Sequence, residues 1–143
     1  MKKLLPLFLG LLTVFFMAMT SSCEHGIPIE FGQRVDSSIS RNDEYTGWND
    51  GSFYKRYEIR LQAGTTYLVS FWTEDWCVLT AGRNSDLPGD GDISIGPVDV
   101  KGDNYEDYYT FDRSGTWYFF VYVREGNIEP GENQEFWFEI APY

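Results

Sequence analysis

The residues that could do catalytic chemistry are few, and they are poorly placed for it. His25 is the only histidine, and it lies two residues after Cys23. A Ser-His-Asp triad, a Cys-His pair or a histidine-based metal site needs an imidazole inside a folded constellation. No glycine-rich phosphate loop or dinucleotide-binding motif follows a predicted strand. We therefore expect no enzymatic activity, and a small hydrolase built on a carboxylate pair is the least favoured alternative.

Cys77 is the other candidate nucleophile. It lies between Trp76 and Val78 in an apolar run, directly after Glu74 and Asp75. Basic neighbours or a helix N-terminus activate a thiol, whereas carboxylates raise its pKa. The sequence therefore predicts a small buried core residue at this position.

Acidic residues and glycines concentrate between residues 84 and 107. Calcium takes about six to eight oxygen ligands, which flexible Gly-Asp loops can supply. The candidate ligands are Asp90, Asp92, Asp99 and Asp103. Their spacing does not match an EF-hand loop, so the favoured alternative is a solvated loop whose Asp and Asn side chains bond to their own backbone. We predict no cofactor, and calcium is the one metal that the pattern leaves open.

Large apolar and aromatic side chains give a second clue. Side chains alternate between the two faces of a strand, so one set faces the core and the other faces outward. The outward set comprises Leu68, Trp72, Tyr118, Phe120, Tyr122 and Trp137. Together they would cover roughly 600 Å², near the upper limit for the largest apolar patch of a typical monomer.

Such a surface has two interpretations. Either residues 27–45 or the opposite sheet pack over it, or its rings stack on sugars or contact a protein partner. The loop region around Trp76, Asp90 and Asp103 is an alternative recognition surface.

The elements that must position these residues are short β-strands. Long helical periodicity is absent, and 14 glycines punctuate the chain. Strands are predicted over residues 56–61, 66–73, 76–81, 93–95, 108–112, 116–123 and 135–140, with an edge strand over 27–31. Residues 37–51 are polar and rich in turn residues, so we expect a loop there. The fold class is all-β, as an antiparallel sandwich or barrel.

Three segments resemble a known family. They are YEIRLQAGTTYLVSF from residue 57, TFDRSGTWYFFVYV from residue 110, and FWFEI from residue 136. This pattern is similar to the bacterial pre-peptidase C-terminal domain over residues 53–141. The resemblance implies a jelly-roll-like β-sandwich that serves secreted hydrolases as an accessory module for substrate binding, folding or secretion. Two departures are the lack of an accompanying catalytic domain in this sequence and Cys77, where the family's third strand has an acid.

The N-terminus predicts export. Lys2 and Lys3 precede a nearly apolar run over residues 4–19, and Thr20-Ser21-Ser22 leads directly into Cys23. A basic start, a short apolar segment and small residues are typical of a signal peptide. The junction resembles the lipobox of bacterial lipoproteins, although Thr20 stands where Leu is commoner. The resemblance implies cleavage before Cys23 and attachment of acyl chains such as palmitate to it; an ordinary secretory signal is the alternative.

The charge of the mature chain limits its partners. Removal of residues 1–22 leaves nine of the eleven Lys and Arg and all 22 Asp and Glu, a formal net charge of −13. Phosphate backbones and anionic headgroups repel such a body, so we exclude nucleic acid as a partner. Contact with a membrane would depend on the lipid anchor.

The sequence thus predicts three regions. They are a lipoprotein signal peptide over residues 1–22, the lipidated Cys23 with a tether and edge strand over 23–52, and a β-sandwich over 53–143. The favoured function is a non-catalytic binding module, anchored in the outer membrane or at the cell surface of a bacterium. Carbohydrate is the first ligand class to test, and an envelope protein is the other. The alternative function is a structural subunit of an envelope protein complex.

Overall fold

The computed structural model describes residues 26–83, 93–95 and 102–143, which form ten β-strands and two single-turn 3₁₀ helices, Trp48–Asp50 and Glu125–Asn127. The strands are β1 (Ile27–Pro28), β2 (Val35–Ser40), β3 (Glu44–Thr46), β4 (Ser52–Leu61), β5 (Thr66–Thr73), β6 (Val78–Gly82), β7 (Ile93–Ile95), β8 (Tyr105–Thr110), β9 (Gly115–Arg124) and β10 (Asn133–Pro142). The predicted all-β class is confirmed. Over the same ranges, no helix combines the length and apolarity needed to cross a bilayer.

The strands form two sheets. The first sheet has the order β1-β4-β9-β6-β7, and β3 also pairs with β4. The second sheet has the order β2-β10-β5-β8. Every described strand pair is antiparallel except β1 with β4. The two sheets pack face to face, which is the predicted sandwich.

The core lies between the sheets and follows the period-two pattern. The inward residues of β4, β5 and β10 are buried: Tyr57, Ile59, Leu61, Tyr67, Val69, Phe71, Phe136, Phe138 and Ile140. Phe119 of the first sheet stacks on Phe138 of the second, with ring centroids 6.3 Å apart. Burial of each such ring stabilises the fold by roughly 1.5–3 kcal/mol.

Two turns at one end of the sandwich contact each other. Gly64, in the turn between β4 and β5, has a φ of 76°, which a side chain would strain. Its backbone N–H donates to the carbonyl of Phe111. The N–H of Ala63 donates to Ser114 Oγ, which lies in the turn before β9. The Ala-Gly and Ser-Gly-Thr segments of the family resemblance therefore form one contact.

The loop expected over residues 37–51 is wrong for much of its length. Residues 37–40 belong to β2, which pairs with β10 from Ser40 opposite Asn133 to Val35 opposite Phe138. Residues 44–46 form β3 against β4. Ile39 of β2 is fully buried, so this segment contributes to the core of the sandwich.

Candidate functional site

The outward aromatic set does not form one surface, because its strands belong to different sheets. Leu68, Trp72 and Trp137 lie on β5 and β10 of the second sheet. Tyr118, Phe120 and Tyr122 lie on β9 of the first sheet. The outer faces of the two sheets point in opposite directions, so the expected single patch of about 600 Å² is corrected to two separate clusters.

The cluster on the first sheet is closed. Phe120 is 0% exposed and Tyr122 is 6% exposed, and both pack with Tyr54 and Val78. Trp48, from the first 3₁₀ helix, lies edge-on to Tyr122 with ring centroids 4.9 Å apart. Burial raises the pKa of Tyr122. Phe120 and Tyr122 thus belong to a second buried apolar cluster, against which Tyr118 is partly buried. Their rings are not accessible to a ligand, so the prediction that these two residues bind one is corrected.

The cluster on the second sheet is open to solvent. Trp72 of β5 lies directly opposite Trp137 of β10, and both side chains are partly exposed. They border a surface depression of about 590 Å³. We call its outward-facing lining the tryptophan face, which comprises Arg34, Asp36, Ser38, Trp72, Glu135 and Trp137.

Arg34 is fixed over one of the two indoles. Its guanidinium carbon lies 4.3 Å from the centroid of the Trp137 ring. Its Nε donates to Asp36 Oδ1 at 2.9 Å, and the second guanidinium nitrogen is also 2.9 Å from that oxygen. An exposed cation–π contact contributes about 0.5–1 kcal/mol and an exposed ion pair adds less, so the arrangement orients Arg34 more than it stabilises the fold.

Carboxylates surround the two tryptophans. Glu135 and Glu139 flank Trp137 along β10, and Asp36 lies opposite it on β2. Glu106 of the neighbouring β8 accepts a hydrogen bond from Ser70 Oγ at 3.1 Å. The outward surface of the second sheet is therefore electronegative.

The remaining predicted binding and metal residues lie elsewhere. Trp76 is 40% exposed in the turn after β5, where its backbone N–H donates to Gln134 Oε1. Asp103 is exposed just before β8. Cys23, Asp90, Asp92 and Asp99 lie outside the described residues. Across the described part of the chain, no group of three His, Cys, Asp or Glu is arranged to hold a metal ion.

Cys77 lies in the core, as predicted, and is 3% exposed. Burial raises the pKa of its thiol to about 12, and the charges of Asp75 and Glu74 add to that increase. Its Sγ contacts the side-chain and backbone oxygens of Gln134 at 3.9 Å. At neutral pH this thiol stays protonated, so it cannot act as a nucleophile.

Arg34 and Asp36 are the functional candidates that the sequence did not reveal. They lie in a segment assigned to the tether, where the apolar pattern is weak. Val35 and Ile39 are the only signal of a strand there, because the inward position between them is Ser37.

Solved structures with a similar fold include two bacterial proteins. PliG of Aeromonas hydrophila, a periplasmic lysozyme inhibitor of g-type lysozyme, is 17% identical with a TM-score of 0.57, over 82% of this chain and 96% of that one. The pre-peptidase C-terminal domain of a collagenase from Bacillus anthracis is 12% identical with a TM-score of 0.50, over 82% and 95% of the two chains. At these identities the likeness concerns the fold alone, and it confirms the predicted resemblance at that level. No protein-family model matches the chain, and neither does any curated protein.

Proposed function

We propose that this chain is a non-catalytic binding module, anchored to the bacterial cell envelope through Cys23, that binds a protein partner with its tryptophan face. The observation that carries the proposal is the pair Trp72 and Trp137, side by side and partly exposed on the outer face of a sheet. Tryptophan and arginine are enriched among the residues that dominate protein interfaces, and both are present here.

Two features favour a protein over a carbohydrate. Arg34 already covers Trp137 at 4.3 Å, whereas a sugar-stacking platform needs free ring faces. The fold is also similar to that of PliG, an inhibitor whose target, g-type lysozyme, is a protein. Carbohydrate remains the second candidate, favoured by Trp72 with Asp36, Ser38 and Glu135 as hydrogen-bonding groups around it.

The absence of catalysis is part of the proposal. It is supported by the raised pKa of the Cys77 thiol and by the position of His25 beside the anchoring residue. A general acid–base mechanism needs a group with a pKa near the working pH at the site. None of the carboxylates of the tryptophan face contacts a histidine, lysine or second carboxylate among the described hydrogen bonds and ion pairs.

The partner can be sought directly. The mature chain with Cys23→Ser, immobilised, is presented to envelope and secreted proteins, and each retained protein is purified and its Kd measured by calorimetry. g-type lysozyme and a glycan array are included as defined probes. Trp72→Ala should raise the Kd for the true partner at least tenfold, as expected for a central interface residue.

The matched control is Tyr45→Ala, an exposed aromatic on the first sheet. It should change the Kd by less than twofold. Equal weakening by both variants, or a partner indifferent to Trp72→Ala, contradicts the protein-binding role of this face. Glycan binding that Trp72→Ala abolishes, with no protein retained, establishes the carbohydrate alternative instead.

The anchor has its own test. Cells grown with radiolabelled palmitate should incorporate label into the wild-type chain and not into Cys23→Ser, because the acyl chains attach to that residue. The Cys77→Ser variant is the matched control and should be labelled normally, since Cys77 is buried. An unlabelled wild-type chain rejects the lipid anchor and leaves an ordinary secretory signal.

A further inference from the structure

We infer that the partner is a basic protein, and that one of its arginine or lysine side chains stacks on Trp72 beside Arg34. This inference rests on the proposed function and specifies the chemistry of the partner. It is drawn from the arrangement of charge and rings on the second sheet.

The charges on the outer face of the second sheet are mainly negative. Four carboxylates project from the outer face of the second sheet, at Asp36, Glu106, Glu135 and Glu139. Arg34 is the one cation that borders them among the described residues, and Asp36 already pairs with it. Glu106, Glu135 and Glu139 have no cationic partner within ion-pair distance in the described part of the chain. Three carboxylates are thus available to a cationic partner.

Arg34 shows how a cation binds here. Its guanidinium lies 4.3 Å from the Trp137 centroid while a carboxylate holds its edge at 2.9 Å. Trp72 offers the same indole surface in the neighbouring position, with no described cation over it. Directly opposed residues on antiparallel strands have Cβ atoms about 4.5–5.5 Å apart, and diagonal neighbours about 7–8 Å. A cation on Trp72 would therefore lie within reach of Glu135 and Glu139.

The rest of the molecule favours the same partner. The mature chain carries a formal net charge of −13, so its long-range field attracts basic proteins and repels acidic ones. Cation–π stacking strengthens when the ring and the cation lose water at an interface.

The test is an NMR titration of the mature chain with Cys23→Ser, to which a synthetic octa-arginine peptide is added. The readout is the indole N–H signals of the five tryptophans. Signals of Trp72 and Trp137 should shift on binding, and that of Trp117, buried in the core, should not. An octa-glutamate peptide should cause no shift. A neutral chitohexaose that moves the Trp72 signal, with octa-arginine inactive, overturns the inference in favour of carbohydrate.

Paired charge variants separate a site from diffuse attraction. Glu135→Gln with Glu139→Gln should weaken octa-arginine binding at least fivefold. Asp112→Asn with Glu129→Gln removes the same charge from exposed positions elsewhere and should weaken it less than twofold. Equal effects overturn the inference, because they indicate attraction to net charge alone. If a natural partner depends on Trp72 while octa-arginine leaves its signal unmoved, the basic-partner inference fails and the proposed binding role stands.

Discussion

Trp137 lies directly opposite Trp72 across the β5–β10 pair, and the guanidinium carbon of Arg34 lies 4.3 Å from the centroid of the Trp137 ring. The position is rigid because β10 is an interior strand of its sheet. The residues on either side of Trp137, Phe136 and Phe138, are buried in the core. The core thus fixes β10, and β10 fixes the ring that it presents to solvent.

The first prediction separates the two faces of β10. Phe138→Ala should lower the free energy of unfolding by about 3–5 kcal/mol, because a fully buried ring is removed and a cavity remains. Trp137→Ala should cost less than half as much, since its ring is partly exposed. Chemical denaturation of both variants measures the difference. If Trp137→Ala lowers the free energy of unfolding more than Phe138→Ala does, then Trp137 faces the core and Phe138 does not.

The second prediction concerns the segment that the sequence assigned to a loop. Arg41 donates to the carbonyls of Ile128 at 2.8 Å and Glu125 at 3.2 Å, which ties the end of β2 to the loop before β10. Arg41→Ala should destabilise the fold by roughly 1–3 kcal/mol, because these carbonyls lose a charged donor.

Arg41→Lys should recover only part of that loss, since an ammonium lacks the fork that reaches both carbonyls. The control is Arg113→Ala, whose side chain is 74% exposed. It should change the free energy of unfolding by no more than about 0.5 kcal/mol. If Arg41→Ala matches the control in urea denaturation, β2 is not held as described.

The third prediction is a loss of stability in alkali. The Cys77 thiol ionises near pH 8.5 in an unfolded chain, whereas burial raises its pKa to about 12 in the folded state. Between these values the folded state binds more protons than the unfolded state, so the free energy of unfolding falls as pH rises. The contribution is complete below about pH 8.5 and declines by on the order of 1 kcal/mol per pH unit above it.

Denaturation midpoints at pH 8 and pH 10 measure this effect. Burial also raises the pKa of Tyr57 and Tyr122, whose phenols ionise at about pH 10 in an unfolded chain, so they add to the alkaline loss equally in the wild-type chain and in Cys77→Ala. Cys77→Ala should show a smaller drop between the two pH values than the wild-type chain. An unchanged drop would assign the alkaline loss to other groups.

The fourth prediction addresses calcium. The spacing of Asp90, Asp92, Asp99 and Asp103 favours a solvated loop over a calcium site, so EDTA should leave the melting temperature unchanged. Addition of calcium in excess should likewise have no effect. A lower midpoint in EDTA, restored by calcium and not by magnesium, would establish the metal site.

Period-two alternation was enough to predict most strands and their inward residues. The bounds predicted for β5, residues 66–73, are those observed, and the inward sets of β4 and β10 are buried as expected. These strands carry an apolar residue at most inward positions, the exceptions being Lys55, Thr73 and Gln134. Such alternation predicts both that a strand forms and which of its two faces is buried.

β2 could not be found in the same way. Its inward position is the polar residue Ser37, whose Oγ accepts a hydrogen bond from Lys55 Nζ at 3.1 Å in place of apolar packing. Lys55 in turn lies 3.7 Å from Asp43. The strand forms through pairing with β10, almost a hundred residues later in the chain, and no local signal reports such pairing.

The candidate site was predicted in part for a related reason. Alternation showed that Trp72, Trp137 and the β9 aromatics point outward from their strands. It did not show that β9 belongs to the other sheet, since strand order depends on long-range pairing. Arg34 and Asp36 were not identified as site residues because the sequence did not predict β2. Arg34 directly precedes that strand and Asp36 lies within it.

The central claim is that the partner contacts the outer face of the second sheet. Site-specific photo-crosslinking in living cells tests it most directly, with benzoylphenylalanine replacing Ser38 on the tryptophan face or Arg60 on the first sheet. We predict a covalent adduct with one basic protein from position 38 and none from position 60. Adducts from position 60 alone would contradict the claim.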